Sequence, residues 1–323
     1  MANRQITIHW VQPDIKVVAD LLDDLNPKMC DVLWNYLPYR SVQLHALISN
    51  EHLYHYNPIV ESMFLEAEYM ESRATAPVGT VFLSYLQHLS MKYGLVTEDL
   101  PAAPVARVRK EDLAALAEAG RRCWDATYQT KEVIEVRVER VEDVEMERSF
   151  HSTSFPEVAS NRVNALISEI QDAISVMWTT PPDEVVKIHR GDIATRAGSY
   201  DQYYSTMVFV NGEERALGYN ALGGLLKSCV NSQITLPALR EITKNFVSIP
   251  AEFLEYCGLT TLGSFCSRAI ELLDDLESKE EYATLFSALT VYGNIINGWN
   301  LHYFPWRHGD EHKFETGRIS VTA

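Results

Sequence analysis

No C-x-x-C pair occurs in the chain, and its five cysteines (Cys30, Cys123, Cys229, Cys257 and Cys266) are scattered and odd in number. That pattern gives no disulfide framework and reads as reduced core thiols of a cytoplasmic protein. No G-x-G-x-x-G follows a strand and opens a helix, so a dinucleotide-binding domain has no support. Gly218 to Gly224, GYNALGG, lacks the lysine of a phosphate-binding loop and sits in a helical context. G-x-S-x-G is missing, and with it the nucleophile elbow of a hydrolase. The N-terminal MANRQITIHW lacks the apolar core of a signal peptide. No run approaches the roughly twenty apolar residues that span a bilayer. Positive charge is also scarce. Twenty-eight Lys and Arg face 44 Asp and Glu, a net charge of −16, which argues against a nucleic-acid partner. An acidic substrate is not excluded, because a few local cations outweigh a distant negative surface.

What is present is a globular composition, 46% hydrophobic and 22% charged, in a chain of 323 residues whose length favours two domains. The segment from Gln43 to Pro58, QLHALISNEHLYHYNP, organises the N-terminal part. Val42, Leu44, Ala46 and Ile48 fall on one face of an extended run, with Gln43, His45 and Leu47 on the other. After Ser49-Asn50-Glu51 a second extended run puts His52, Tyr54 and Tyr56 on one face. Imidazoles and phenols offer an apolar body with a polar tip, which suits a small polar ligand.

Strands are predicted at residues 5–11 and 15–22, paired as a hairpin across Pro13-Asp14. Asn26-Pro27 reads as a helix cap and first turn, and the helix stops before Pro38. Glu61, Glu66, Glu68 and Glu71 are assigned to a solvated face. A strand over residues 80–86 leads into YLQHLSMKYG, a second polar cluster holding Tyr85, His88, Ser90, Lys92 and Tyr93. Pro101 and Pro104 read as a loop, residues near Leu113 to Trp124 as a helix, and residues 131–140 as a last strand. Strands between turn signals without repeated βα alternation indicate a closed or nearly closed antiparallel barrel. VEDVEMERS, from Val141, reads as a charged linker. Beyond it the periodicity is helical, with an interruption at Asn211-Gly212, and the last long helix runs from Tyr282 to Leu301. The fold class is therefore α+β: a barrel domain over residues 1–145 and an all-α helical bundle over residues 146–323.

His52-x-x-His55 does not suit a metal, because strand positions three apart point to opposite faces. His308, Asp310, Glu311 and His312 read as a solvated tail. The reading is no metal and no organic cofactor.

ADLLDDLNPKMCDVLWNYLP, LHALISNEHLYHYNP, PVGTVFLSYLQHLSMKYG and LAEAGRRCWD together resemble a bacterial family with a cyclophilin-like barrel. The whole chain, a barrel joined to a C-terminal bundle, is similar to the cucumopine and mikimopine (opine) synthases. The resemblance implies a Pictet–Spengler condensation of L-histidine with 2-oxoglutarate without a redox cofactor. The amine attacks the ketone, water leaves, the imidazole carbon closes onto the imine, and a ring proton departs.

Such chemistry needs donors for three carboxylates, an acid for the departing hydroxyl and a base for the ring proton. Glu51, His45, His88 and Tyr85 are the candidate acid–base groups. Arg73 and Lys92 are the candidate carboxylate anchors, and Tyr54, Tyr56 and Asn57 the groups to hold the ring or fix the imine. Each has a plainer reading: Glu51 as a strand-end carboxylate, His45 and His88 as satisfied core histidines, Arg73 and Lys92 as surface charges. A different class of function, a non-catalytic barrel binding a peptide or metabolite, stays open beside the synthase. A prolyl isomerase lacks its ordered Arg–Phe–Gln–aromatic set here. The surplus of apolar stripes on the bundle helices predicts a homo-oligomer.

Overall fold

The computed structural model of the protein describes residues 4–143, 149–192 and 203–307. Among these, ten strands form one antiparallel array: β1 (Gln5–Trp10), β2 (Ile15–Leu21), β3 (Tyr39–Val42), β4 (Leu44–His45), β5 (Asn50–Tyr56), β6 (Glu71–Ser72), β7 (Thr80–Leu83), β8 (His88–Val96), β9 (Pro101–Val108) and β10 (Glu135–Arg140). The order across the sheet is β3-β10-β1-β2-β9-β7-β8-β5-β4, with β6 paired beside β9. The two edges, β3 and β4, are consecutive in the chain and meet at Gln43, so a single bent strand serves both edges and the sheet becomes a nearly closed barrel.

Gln43 makes this corner. Its backbone N–H donates to Ile134 O at 2.8 Å, continuing β3 along β10. Its side-chain Nε2 donates to Leu44 O (2.8 Å) and Tyr54 O (2.7 Å), and its Oε1 accepts from Trp10 Nε1 at 2.9 Å. The side chain is buried, so each bond replaces one that water would otherwise make.

The barrel core gathers Ile6, Ile8 and Trp10 of β1, Leu53 of β5, Leu89 and Met91 of β8, and Val136 and Val138 of β10. It is closed by α1 (Pro27–Tyr36) through Met29, Cys30 and Leu33, and by α2 (Leu113–Asp125) through Leu116, Ala119 and Cys123. A helical bundle follows: α3 (Asn161–Met177), α4 (Asp183–Arg190), α5 (Tyr203–Arg215), α6 (Gly223–Val230), α7 (Leu236–Tyr256), α8 (Thr260–Glu271) and α9 (Lys279–Tyr303). Helix α9 is buried nearly all round because it runs through the middle, touching α3, α5, α6 and α8 on its sides and β5 of the barrel.

Gly298 on α9 marks the closest approach of bundle and barrel. A Cβ there would lie 3.1 Å from both Leu44 Cδ1 and Tyr56 Cε2. A second joint is Lys131, whose ammonium donates to the carbonyls of Thr127, His302 (2.9 Å) and Phe304 (2.6 Å), while His302 Nε2 lies 3.2 Å from Lys131 O. Trp299 is core, its Nε1 donating to Met177 O at 2.9 Å.

Several local expectations change. The extended run predicted through Ile48 ends at His45; Ile48 turns outward and is 80% exposed. The strand predicted to reach Leu86 stops at Leu83, where a turn reverses the chain into β8. The supposed loop at Pro101 and Pro104 is strand β9. Pro101 is its first residue, and Pro104 faces Phe82 where the register shifts by one, the two strand positions that tolerate a missing N–H. Asn26 precedes Pro27 as expected but does not cap α1. Its side chain instead bonds Tyr69 O and Pro104 O and accepts from the Glu68 and Tyr69 N–H groups. Glu71 is not on a solvated face: it pairs with Arg107 at 3.5 Å, and its Oε1 is buried. In the bundle, α5 continues through Asn211-Gly212; the irregularity is a π-helical stretch, Ala216–Leu222. Residues 237–247 and 251–256 belong to one helix, α7, with Pro250 inside it. All five cysteines are buried and free, and no described helix is long and apolar enough to cross a membrane. Most of the linker beginning at Val141, and the tail with His308, Asp310, Glu311 and His312, lie outside the described residues.

Two predictions follow from the architecture. Gln43→Leu leaves the buried Trp10 N–H unpartnered and removes the side-chain bonds to the Leu44 and Tyr54 carbonyls, and is expected to lower the unfolding free energy by about 2–3 kcal/mol in a denaturant titration. Phe246, Ile249 and Tyr256 on α7 and Phe209 on α5 are exposed. We propose that this face self-associates, so light scattering returns a multiple of the 36.7 kDa chain mass rather than that mass itself.

Candidate active site

The site is built on the outer face of β5 and β8. Their pairing sets His52 opposite Lys92, Tyr54 opposite Ser90, and Tyr56 opposite His88. Strand alternation sends Leu53, Leu89 and Met91 into the barrel core and leaves these six side chains in a row on the other side. His55, one position out of phase, points inward, where its Nε2 meets Tyr39 Oη at 3.0 Å. The His52/His55 pair is thus split between faces, and among the described residues no three His, Cys, Asp or Glu gather as a metal site would need.

One end of the row is covered by barrel loops. Strand β6 lies along the start of β9, and the next residue, Arg73, donates its N–H to Leu100 O. Lys92 holds this turn from below, donating to Arg73 O at 3.0 Å and Ala74 O at 2.6 Å. Burial lowers the Lys92 pKa, and Glu71 opposes that shift. The Arg73 guanidinium pairs with Glu98 at 2.6 Å, and Ser49 Oγ donates to the same carboxylate oxygen at 2.8 Å. Both partners are largely covered, with 21% and 25% of their side-chain surface exposed. Arg73 has a buried Nε without a hydrogen-bond partner, as has His52 at Nε2.

The other end is covered by the bundle. Tyr219, on the π-helical stretch, has its hydroxyl 2.7 Å from His88 Nε2 and 2.5 Å from Tyr56 Oη. Asn297 of α9 donates to the Tyr56 oxygen at 2.8 Å. One proton assignment satisfies every group: Asn297 donates to Tyr56, Tyr56 to Tyr219, and Tyr219 to His88 Nε2. Tyr54 packs against His88, their ring centroids 4.7 Å apart. Arg215 lies over the Tyr219 ring at 5.2 Å. Beside it the Glu214 carboxyl is fully buried, and desolvation holds its pKa well above the usual carboxylate range. Gln87 adds a further link, accepting from Asn294 of α9 at 2.8 Å.

His88 joins the two ends. Burial pushes its pKa down to about 3, and the positive charges of Arg73 on one side and Arg215 on the other push in the same direction. Arg73 acts likewise on His52, also lowered to about 3, mainly by burial. Both imidazoles are therefore neutral at pH 7, between two guanidiniums suited to binding carboxylates through paired hydrogen bonds.

The structure places the sequence candidates as follows. His88, Tyr54, Tyr56, Arg73 and Lys92 share this face. Asn57 is buried at its edge and braces the turns, donating to Gln87 O and accepting from Ile59 N–H. Tyr85 is half-exposed, with Lys227 of the bundle 3.3 Å above its ring, and lines a narrow cleft with Tyr219 and Asn294. Glu51 is apart, at the strand end, where it accepts from Leu95 N–H at 2.5 Å. His45 is also apart: its Nδ1 donates to Ala46 O, its Nε2 accepts from Tyr93 Oη, both at 2.8 Å, and its ring packs on Trp124. Sequence reasoning passed over Glu98, Glu214, Arg215 and Tyr219. Glu214 had a signal: it occupies an apolar stripe with Met207, Val210 and Leu217.

Comparison with known proteins bears on this arrangement. Residues 163–303 match the family model described as cucumopine synthase C-terminal helical bundle domain. The solved structure of McbB in complex with tryptophan aligns with a TM-score of 0.91 and 51% identity, covering 96% of this chain and 100% of that one. A hypothetical protein from Archaeoglobus fulgidus, AF2241, aligns over 43% of this chain and 96% of its own with a TM-score of 0.31 and 12% identity, too low to carry an argument. The comparison with curated proteins returned no match.

The buried histidines make a pH prediction. His45 is lowered to about 4, and His52, His55 and His88 to about 3, all chiefly by burial, against about 6.5 in an unfolded chain. Their folded pKa values are depressed, so the unfolded state takes up protons first on acidification. The stability they contribute is complete above pH 6.5 and is lost as pH falls toward 3, by about 1.4 kcal/mol per pH unit for each. Denaturant titrations between pH 6.5 and 4 should show this slope, shallower in His88→Gln; a flat profile would contradict the neutral, buried assignment.

Proposed function

The chain belongs to the family of McbB and carries a cucumopine synthase-type helical bundle, and we propose that it is a Pictet–Spengler-type synthase. It joins the amine of an aromatic amino acid to a carbonyl compound, with no redox cofactor. The observation that carries this reading is the whole-length likeness to a protein whose structure holds tryptophan. Tryptophan is accordingly the first amine partner proposed. L-Histidine with 2-oxoglutarate, giving cucumopine or mikimopine, is supported by the bundle match alone and is the second. Indole and imidazole both present an electron-rich ring carbon at the reach the closure needs.

The reaction is redox-neutral. The amine nitrogen adds to the carbonyl carbon, water leaves, the ring carbon bonds to the iminium carbon, and the ring proton is removed. Arg73 and Arg215, on either side of His88, anchor substrate carboxylates. Glu98, held by Arg73 and Ser49, is the carboxylate placed to move protons, the role the sequence assigned to Glu51. His88 accepts from Tyr219 through Nε2, which fixes the ring between the guanidiniums, and Tyr54 and Tyr56 wall the substrate ring. Lys92 acts through the Arg73 turn rather than on substrate.

The test is mass spectrometry of purified protein with L-tryptophan or L-histidine and a 2-oxo acid or aldehyde, without nicotinamide. The expected product has the summed mass less one water and grows with enzyme above the uncatalysed background. Glu98→Gln should lower kcat by about 10²-fold or more if the carboxylate transfers the proton. No product with any pair would leave the protein a binding module.

A further inference from the structure

We propose that Glu214, with the side-chain oxygens of Asn294 and Asn297, forms a subsite for a protonated amine, taken to be the ammonium group of the amino-acid substrate. The identity of that amine rests on the synthase reading; the subsite rests on geometry. Glu214 is 0% exposed, and among the described residues neither of its carboxyl oxygens has a hydrogen-bond partner. Across the seam, Asn294 and Asn297 lie three residues apart on α9, nine-tenths or more buried. Each spends its amide nitrogen on the barrel, Asn294 on Gln87 and Asn297 on Tyr56, and each is left with an unpartnered Oδ1.

Two glycines tie these side chains to one seam. A Cβ at Gly293 of α9 would lie 3.8 Å from Glu214 Oε1, and a Cβ at Gly218, four residues after Glu214, would lie 3.3 Å from Asn294 Oδ1. The two glycines keep the seam open where α5 and its π-helical continuation face α9. Tyr54, Tyr56 and Tyr219 all lie within electrostatic reach of the Glu214 carboxyl, which sets the seam beside the phenols of the active face. Gly218, Tyr219 and Asn294 also line the narrow cleft beside Tyr85.

The side chains of the set bring four oxygens and no free nitrogen donor to the seam; the backbone N–H of Asn297 is the donor that favours the Glu214 carboxylate, and desolvation outweighs it. Each buried acceptor left unmade costs about 1–3 kcal/mol. A divalent cation of the calcium or magnesium type asks for about six oxygens, more than stand here. An ammonium group brings three N–H donors and no acceptor, and the surrounding phenol rings favour a cation. Its arrival offsets the desolvation that raises the Glu214 pKa.

The experiment is calorimetric titration of the full-length protein with L-tryptophan and L-histidine and with their desamino counterparts, indole-3-propionate and imidazole-4-propionate. Wild type should prefer the amine-bearing member of a pair. Glu214→Gln keeps the shape, removes the charge and turns N–H groups toward the ligand. It should bind the amino acid about 10- to 100-fold more weakly while binding the desamino compound as wild type does. Infrared difference spectra of the wild type provide a readout that needs no variant: the protonated carboxyl band should be lost on adding the amino acid and kept on adding the desamino compound. An unchanged preference in Glu214→Gln, or an unchanged band, would mean that the oxygens hold only water and would overturn the subsite. A wild type that shows the amine preference yet makes no product would overturn the synthase reading and leave the subsite standing.

Discussion

The bond set of Gln43 is the constraint on which the remaining geometry depends. An open antiparallel sheet has two edges, and here both are supplied by one short stretch, Tyr39 to His45, bent at a single residue. The Gln43 backbone serves β10, while its side chain serves β5 and Trp10. Once that corner is fixed, the register of β5 against β8 follows, because a slip by one residue would send His52, Tyr54 and Tyr56 into the apolar core and Leu53 out of it. The polar row is thus a consequence of closing the barrel. Function occupies the face that the core does not need.

That face would be an ordinary wet surface without the bundle. Helix α9 approaches at Gly298, close enough that a side chain would strike Leu44 and Tyr56, and this approach brings Asn294 and Asn297 against the barrel. The π-helical stretch then supplies Tyr219, which reaches both Tyr56 and His88. An extra residue in a helical turn re-aims a side chain without breaking the helix, and such turns are frequent at functional sites. The electrostatic result is a partly covered strip with neutral imidazoles, two guanidiniums, of which Arg215 is exposed, and two carboxyls in unlike settings. Glu98 is paired with a cation, whereas Glu214 is fully buried, and desolvation raises its pKa well above the usual carboxylate range.

The sequence was legible where a short period governs the fold. The alternation of His52, Tyr54 and Tyr56 appears as read, the last strand lies within residues 131–140, and the chain beyond the linker is helical. It was illegible where tertiary contacts override a local signal. Pro101 and Pro104 suggest a loop, yet β9 accommodates both because one starts the strand and the other sits at a bulge. Asn26 has the composition of a cap, but its side chain is drawn away to hold the loop before Arg73. At the site, strand order was visible but partners far along the chain were not. Arg73 finds Glu98 through β6 and β9, and His88 finds Tyr219 across 131 positions. Glu51 and His45 lie near the right strands, yet they are committed to backbone and core partners. Period alone does not report those commitments.

The most direct measurement of the central claim, that barrel and bundle share one substrate site on the outer face of β5 and β8, is a crystal structure of the protein with L-tryptophan bound. The account predicts the amino acid over Ser90 and Tyr54, its carboxylate toward a guanidinium and its amine toward Glu214. Tryptophan lodged elsewhere, with the Arg73–Glu98 and His88–Tyr219 pairs untouched, would contradict it.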